Sequence, residues 1–272
     1  MRSGRWKRIY LSVLALVTLA CIIVGSLRFA GVHSFGGLLS GMPSTERGNN
    51  VSSVDEDITE TFNGVTFDAS LTNVTILSGG SAHISYSNGG GHDERFDYAV
   101  KDGVLHVSQT TETSRLELRR TASTITITIP ETVQLRDLSG VTALGDVRIL
   151  DVNAGHTDVS TNMGNLSATR LGCVSCSLRS DMGTVSASDV SFGDSMELSA
   201  NMGNVELSGV ENLRELRLEL STSMGDIMVN GQRSREGTLT QGTGTRRLVA
   251  KVDMGDVRIS GREGDQIGRA HV

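Results

Sequence analysis

Between residues 144 and 257 one tetrapeptide returns six times: a Leu or Met, a Gly, a small polar residue, then an aliphatic one. The copies are Leu144-Gly145-Asp146-Val147, Met163-Gly164-Asn165-Leu166, Met182-Gly183-Thr184-Val185, Met202-Gly203-Asn204-Val205, Met224-Gly225-Asp226-Ile227 and Met254-Gly255-Asp256-Val257. Successive glycines are 19, 19, 20, 22 and 30 residues apart. A period near twenty residues is the signature of a unit that stacks on copies of itself.

The residues leading into each tetrapeptide alternate. Val174, Cys176, Leu178, Ser180 and Met182 are set against Ser175, Ser177, Arg179 and Asp181, which is strand periodicity with one buried face. The same register reads Met196, Leu198, Ala200, Met202, then Leu216, Leu218, Leu220, Thr222, Met224, then Leu248, Ala250, Val252, Met254. Past the tetrapeptide the parity shifts, since Met202 and Val205 are three apart and Leu207 follows Val205. A corner at the Gly-Asx pair accounts for the shift, because Gly takes positive φ without a Cβ penalty and Asn or Asp tolerates it better than most residues. The unit is strand, corner, strand, return loop. Such a coil cannot bury its own apolar stripe, so stacking must supply the core. At about 4.8 Å per strand spacing, six coils make a prism roughly 25 Å long.

The expected fold is therefore all-β, a single-stranded β-solenoid or β-roll of about six coils. The methionines are expected in one column on an interior edge, as adaptable packing. Beside it, Asp146, Asn165, Thr184, Asn204, Asp226 and Asp256 make either a hydrogen-bonded corner ladder or a weak cation groove. The presence of Thr and Asn favours the ladder, because a hard cation wants several carboxylates.

Low aromatic content and 32 glycines in 272 residues suit turn-rich β structure. Basic residues Arg2, Arg5, Lys7 and Arg8 precede an uncharged run over residues 9–27, followed by Arg28. These nineteen uncharged, mostly apolar residues are enough for a transmembrane helix. The excess of basic residues before it predicts residues 1–8 inside and the rest outside. A cleaved signal peptide and a lipoprotein site at Thr18-Leu19-Ala20-Cys21 are the competing readings; the run is long for the first, and apolar residues continue past Cys21 against the second. Residues 1–28 hold 5 basic and no acidic groups, so the remainder carries 20 basic against 31 acidic, a net charge of −11. That sign disfavours nucleic acid as a partner.

Residues 28–57 mix Gly, Ser, Asn and charges without period and read as a flexible linker. Residues 58–123 hold short alternating runs, including Val65-Thr66-Phe67-Asp68-Ala69 and Val104-Leu105-His106-Val107, split by glycine-rich turns. They are the candidate for an atypical β cap, since the end coil of a solenoid lacks a neighbour. A strand is possible at Leu116–Leu118. The regular solenoid spans 124–261, opening with Ile125-Thr126-Ile127-Thr128-Ile129-Pro130, and residues 262–272 form a tail.

Phe67-Asp68 with the strands after it, the turn Lys101-Asp102-Gly103-Val104-Leu105, the strand end Ile127 to Pro130 and the G-D-V repeats together resemble the putative-adhesin family of bacterial envelope proteins. The resemblance covers roughly residues 58–261. It implies a β-solenoid or β-roll domain exposed at the surface, non-enzymatic, and found in some Gram-positive bacteria beside systems that respond to envelope stress and antimicrobial peptides. Cys173 and Gly193 disturb the coil openings, and Gly231 to Gly244 inserts a long loop. The family assigns no catalytic or binding residues.

The residues themselves offer little chemistry. The six histidines (33, 83, 92, 106, 156 and 271) show no metal-ligand spacing, and there is neither a G-x-S-x-G elbow nor a Walker-type phosphate loop. No catalytic, cofactor-binding or metal-binding residue is expected. Cys173 and Cys176 form a C-x-x-C whose members, three apart on a strand, face opposite sides; Cys176 reads as core filler, with a local disulfide or thiol chemistry as the alternatives. Widening repeat spacing places insertions on one edge, where repeat proteins often bind. There Arg233, Arg235, Arg246 and Arg247 make a basic tip, read either as a mobile loop end or as the candidate binding residues for teichoic or phospholipid phosphate. The leading expectation is a membrane-anchored extracytoplasmic interaction module, an envelope-stress accessory protein whose partner is an envelope component or another protein. A solenoid hydrolase or lyase on envelope glycan is the rival, disfavoured by the absence of Trp past the membrane run. A passive stalk is the third reading.

Overall fold

The structure is a computed structural model and describes residues 53–89, 94–111, 122–234 and 236–262. The expected transmembrane run 9–27, most of the linker, the strand at Leu116–Leu118, Arg235 and nearly all of the tail lie outside the described residues. The described chain is all-β.

The strands are β1 (Ser53–Asp57), β2 (Gly64–Gly79), β3 (His83–Ser87), β4 (Glu94–Lys101), β5 (Val104–Thr111), β6 (Ser123–Pro130) and β7 (Leu135–Leu144). They continue with β8 (Val147–Leu150), β9 (Asn153–Met163), β10 (Leu166–Thr169), β11 (Gly172–Met182), β12 (Val185–Ser188), β13 (Ser191–Met202) and β14 (Val205–Val210). The last six are β15 (Arg217–Met224), β16 (Ile227–Val229), β17 (Gln232–Arg233), β18 (Thr238–Gln241), β19 (Arg247–Met254) and β20 (Val257–Gly261). The segment expected as linker up to residue 57 thus ends in a strand, β1, which pairs antiparallel with β3.

Each repeat is one coil with a long strand on one face and a short strand on the other. The long-strand face runs β4-β5-β2-β7-β9-β11-β13-β19-β15-β18. The short-strand face runs β1-β3-β6-β2-β8-β10-β12-β14-β20-β16-β17. Strand β2 belongs to both, because its first half pairs with β5 and β7 and its second with β6 and β8. Between the faces lie the inward residues, such as Val159, Leu178, Leu198 and Ala250 from long strands and Ile149, Ala168, Ala187 and Leu207 from short ones, all buried. Full burial of a Val, Leu or Ile side chain stabilises by roughly 1.5–3 kcal/mol.

Two corners separate the strands of a coil. At the first, the glycine of the tetrapeptide has φ between 140° and 152°. A Cβ on Gly164 would lie 2.0 Å from the carbonyl oxygen of Gly145, and one on Gly183 equally close to that of Gly164. Only glycine lets the coils approach at strand spacing here. Backbone pairing continues around the bend, with Gly164 N–H donating to Met182 O at 2.9 Å and Leu166 N–H to Thr184 O at 3.0 Å. The second corner, after the short strand, is where non-glycine residues take positive φ: Asp151, Arg170 and Asp189 lie at 51–57°. The Asx of the tetrapeptide was the residue expected to do so, but the left-handed Asp occurs at this other bend. Asp151 and Arg170 also form a two-pronged ion pair between successive coils there.

The stack does not follow chain order at its ends. The last coil, β19–β20, slots between β13–β14 and β15–β16. At the other end, the first coil in sequence, β2, lies inside the coil formed by β5 and β6. The segment expected to be a long lateral loop at Gly231–Gly244 instead closes the stack, with β17 and β18 pairing antiparallel on β16 and β15. The long 225-to-255 spacing is spent on covering an end, not on widening a side. Strands β3 and β4 cover the opposite end, where the Tyr86 and Phe96 rings stack at 4.4 Å. Buried Glu94 there accepts hydrogen bonds from Tyr86 and Ser123.

Gly183→Ala is expected to lower stability by roughly 3 kcal/mol or more, since the new Cβ meets backbone that cannot swing aside. A denaturant midpoint unchanged by far-UV circular dichroism would refute the close-approach account. A second expectation concerns β1. His83 Nδ1 lies 2.9 Å from Asp57 and Nε2 lies 2.7 Å from Asp55, and these hydrogen bonds, Asp57 first, raise the His83 pKa above 6.5. Because the folded pKa is the higher one, the stabilisation is complete below about pH 6.5 and is lost as pH rises through the raised value. Amide exchange of residues 53–57, corrected for intrinsic rate, should therefore be slower near pH 6 than near about pH 9, and His83→Ala should abolish the difference.

Candidate functional site

The first corner carries the feature that stands apart from the rest of the surface. Leu144, Met163, Met182, Met202, Met254 and Met224 occupy consecutive rungs in that spatial order. The column expected from the repeat therefore exists, with its last two members exchanged. Its expected location was wrong. Exposure runs from 40 % at Leu144 to 62 % at Met224, so the methionines line an outer ridge and not an interior edge.

The cause lies in where the coil begins to bend. Counting alternation straight through the long strand puts Met182 on the same side as Ser180, but the chain leaves the core after Ser180. The last inward residue of each long strand is Thr142, Thr161, Ser180, Ala200, Val252 or Thr222, and it is buried in every coil. Four of these carry a hydroxyl that donates to a carbonyl of the neighbouring coil: Thr142 to Thr72 O at 3.2 Å, Thr161 to Gly145 O at 3.1 Å, Ser180 to Gly164 O at 2.9 Å and Thr222 to Gly255 O at 2.8 Å. A buried hydroxyl needs such a partner, and at the bend it finds the carbonyl of the neighbouring coil, a glycine's in three of the four cases. The next inward residue is Val185 or its equivalent, on the far side of the corner. Val174, grouped with the inward set on sequence, is also exposed, at 43 %.

The Asx column beside the ridge is the ladder its composition favours. Asp146 N–H donates to Asn73 Oδ1 at 2.9 Å, Asn165 N–H to Asp146 Oδ1 at 2.7 Å and Thr184 N–H to Asn165 Oδ1 at 2.9 Å. Farther along, Asp256 N–H donates to Asn204 Oδ1 at 3.0 Å and Asp226 N–H to Asp256 Oδ1 at 2.9 Å. Thr184 has no oxygen that reaches as far as a carboxamide's, and the side-chain ladder restarts at Asn204. On the other flank, exposed Asn162, Asp181, Asn201 and Asp253 precede the methionines, with Asn201 Nδ2 donating to Asp181 at 3.0 Å. The ridge is an apolar line between polar columns that carry acidic groups.

Of the arginines singled out on sequence, the three described ones, Arg233, Arg246 and Arg247, each engage a different partner. Arg233, on β17 of the short-strand face, pairs with Asp226 at 2.5 Å. Arg247, at the start of β19 on the long-strand face, pairs with Glu219, which Arg217 also approaches at 3.1 Å; the Arg247 hydrogen bond first, and Arg217 after it, lower the Glu219 carboxyl pKa. Arg246 places its guanidinium 5.8 Å from the centroid of Phe192. Among the described residues no three His, Cys, Asp or Glu side chains are grouped to hold a metal ion. A shallow concavity of about 420 Å³ on the short-strand face is lined by Thr169, Ser188, Ser208, Ser260 and Met228, with the Glu206–Arg258 pair at its wall. Sequence reasoning found the ridge residues but assigned them to the core; the signal that could have separated the two is the hydroxyl two positions before Leu144, Met163, Met182 and Met224.

The fold has counterparts among solved structures. A putative cell adhesion protein from Clostridium sporogenes superposes with a TM-score of 0.50 at 9 % identity, covering 77 % of this chain and 99 % of the other. A putative adhesin from Bacteroides fragilis gives 0.44 at 15 % identity, covering 76 % and 95 %. At these identities the likeness concerns the fold. None of the curated proteins matches the chain in sequence. The sequence profile of the Toastrack family DUF4097 matches residues 62–266, three quarters of the chain and every coil described above, and the chain accordingly belongs to that family.

Proposed function

We propose that this protein is a non-enzymatic interaction module of the bacterial cell envelope, with the exposed Leu144–Met224 ridge as its contact surface. Residues 9–27 anchor it in the membrane, residues 1–8 lie inside, and the stacked coils stand outside. An accessory role in envelope stress belongs to the same reading.

One observation carries it: an unbroken line of large apolar side chains left in solvent, where among the other described residues only Val174 is a comparably exposed large apolar side chain. Scattered exposed apolar residues are ordinary, but a contiguous line rimmed by polar groups marks interaction surfaces. Methionine suits such a surface because its flexible thioether adapts to differently shaped partners. The acids alongside, Asp181 and Asp253 among them, favour an envelope protein or peptide that presents an apolar stripe with basic flanks.

The triple variant Met182→Lys, Met202→Lys, Met254→Lys is expected to fold normally, since exposed sites change stability by about 0.5 kcal/mol or less each. Its binding to purified envelope fractions should fall at least tenfold relative to the parent, roughly 1.4 kcal/mol. Undiminished binding by the folded variant would reject the ridge. Anchoring is checked separately: removing residues 1–28 should move the chain from the membrane fraction to the soluble one.

A further inference from the structure

On a regular strand residues three apart face opposite sides, and on that ground Cys173 and Cys176 are not placed to meet. The backbone of the coil changes the geometry. Pairing between β11 and β13 runs from Gly172/Ser191 and Cys173/Phe192, then slips by one residue to Ser175/Ser195. The extra residue lies in β13, since β11 pairs with β9 over the same residues at a constant offset; what β7, β9 and β11 share is a bend near the start of the long strand, read from the burial of residues three apart. There Leu135 and Leu138 in β7, and Ala154 and Thr157 in β9, are three apart and all buried. Register aligns Leu135 and Ala154 with Cys173, and Leu138 and Thr157 with Cys176.

Both thiols of β11 are consequently turned the same way. Cys176 is 4 % exposed, Cys173 packs against the core while keeping part of its surface open, and Val174 between them points outward. Interaction with the Cys176 thiol lowers the Cys173 thiol from its ordinary range, while interaction with Cys173 and burial push Cys176 well above it. Cys173 Sγ also approaches the Ser191 carbonyl oxygen at 3.6 Å. An accessible thiol whose thiolate is favoured, beside a buried protonated one, is the division of labour that exchange chemistry needs.

We propose that Cys173 and Cys176 are a thiol–disulfide exchange pair, Cys173 attacking an external disulfide and Cys176 resolving the product. The Cys173 thiolate attacks one sulfur of a disulfide R–S–S–R, forming a mixed disulfide and releasing R–S⁻. Cys176 then gives up its proton, to solvent or to the released thiolate. Its sulfur attacks Cys173 Sγ, closes the intramolecular disulfide and expels the second R–S⁻. Two protein thiols are oxidised by two electrons, and one external disulfide is reduced to two thiols. The bond formed spans the bend in β11 and fixes it covalently.

The test uses the full reduced chain in detergent, oxidised glutathione as the external disulfide, and peptide mass spectrometry to follow each cysteine apart from Cys21. The parent should form the Cys173–Cys176 disulfide without accumulating glutathione adduct. Cys176→Ser should stop at a glutathione mixed disulfide on Cys173. In Cys173→Ser, Cys176 should react roughly tenfold or more slowly than Cys173 does in Cys176→Ser. Far-UV circular dichroism confirms that each variant is folded, and Ser is close to Cys in size at both positions. Two results would overturn the proposal: native parent in which both thiols stay fully alkylatable while the unfolded chain oxidises, or equal reactivity of the two single variants.

Discussion

Glycine stacked over glycine at the first corner is the constraint on which the rest of the structure depends. The carbonyl oxygen of one coil occupies the space a Cβ on the next would need, so coils meet at strand spacing around the bend as well as along the faces. Continuous pairing through the corner locks neighbouring coils into a single rotational register. Once that register is fixed, every side chain lies over its equivalent. Core columns, the hydroxyl-to-carbonyl contacts inside the bend and the Asx ladder outside it are all consequences of one repeated contact.

The same contact explains why the methionines are outside. A bend that tight has an inner and an outer wall. The inner wall has room for a small side chain, and four of the six coils place there a hydroxyl that satisfies the neighbouring coil's carbonyl. The outer wall must take the residue next to the glycine, and a long side chain is accommodated there only in solvent. Packing does not require that residue to be apolar. Its apolar character in all six coils is what motivates reading the ridge as a surface that meets something else.

A stack of parallel coils leaves open strand edges at both ends, and exposed edges are sites for unwanted pairing. This chain closes them by the same device twice. An out-of-order coil is enclosed by its neighbours, and short antiparallel strands cover the outermost coil: β3 and β4 at one end, β17 and β18 at the other. The aromatic pair Tyr86–Phe96, with buried Glu94 satisfied by hydroxyls, plugs the core at the first end. Pairing across β2 also ties residues 64–79 to strands as distant as β8, so the first coil cannot complete its contacts until much of the chain after it has formed.

The sequence by itself determined the coil. Its glycine spacing, the alternation of residues such as Cys176, Leu178 and Ser180, and the Asx beside each glycine specify strand, corner, strand and stacked ladder, because these are short-range requirements written into each copy. Tertiary structure decided what local pattern leaves degenerate. Whether Met182 faces in or out depends on where the backbone departs from a straight strand, and alternation counting assumes it never does. Which coil lies between which was equally illegible, since coils with the same inward pattern fit either slot, and only the need to cover the ends distinguishes them. The fate of Arg233, Arg246 and Arg247 turned on partners far away in the chain or on other strands, and the meeting of Cys173 with Cys176 on a bend shared with β7 and β9. Each of these is a property of neighbouring coils in contact, which no single stretch of residues encodes.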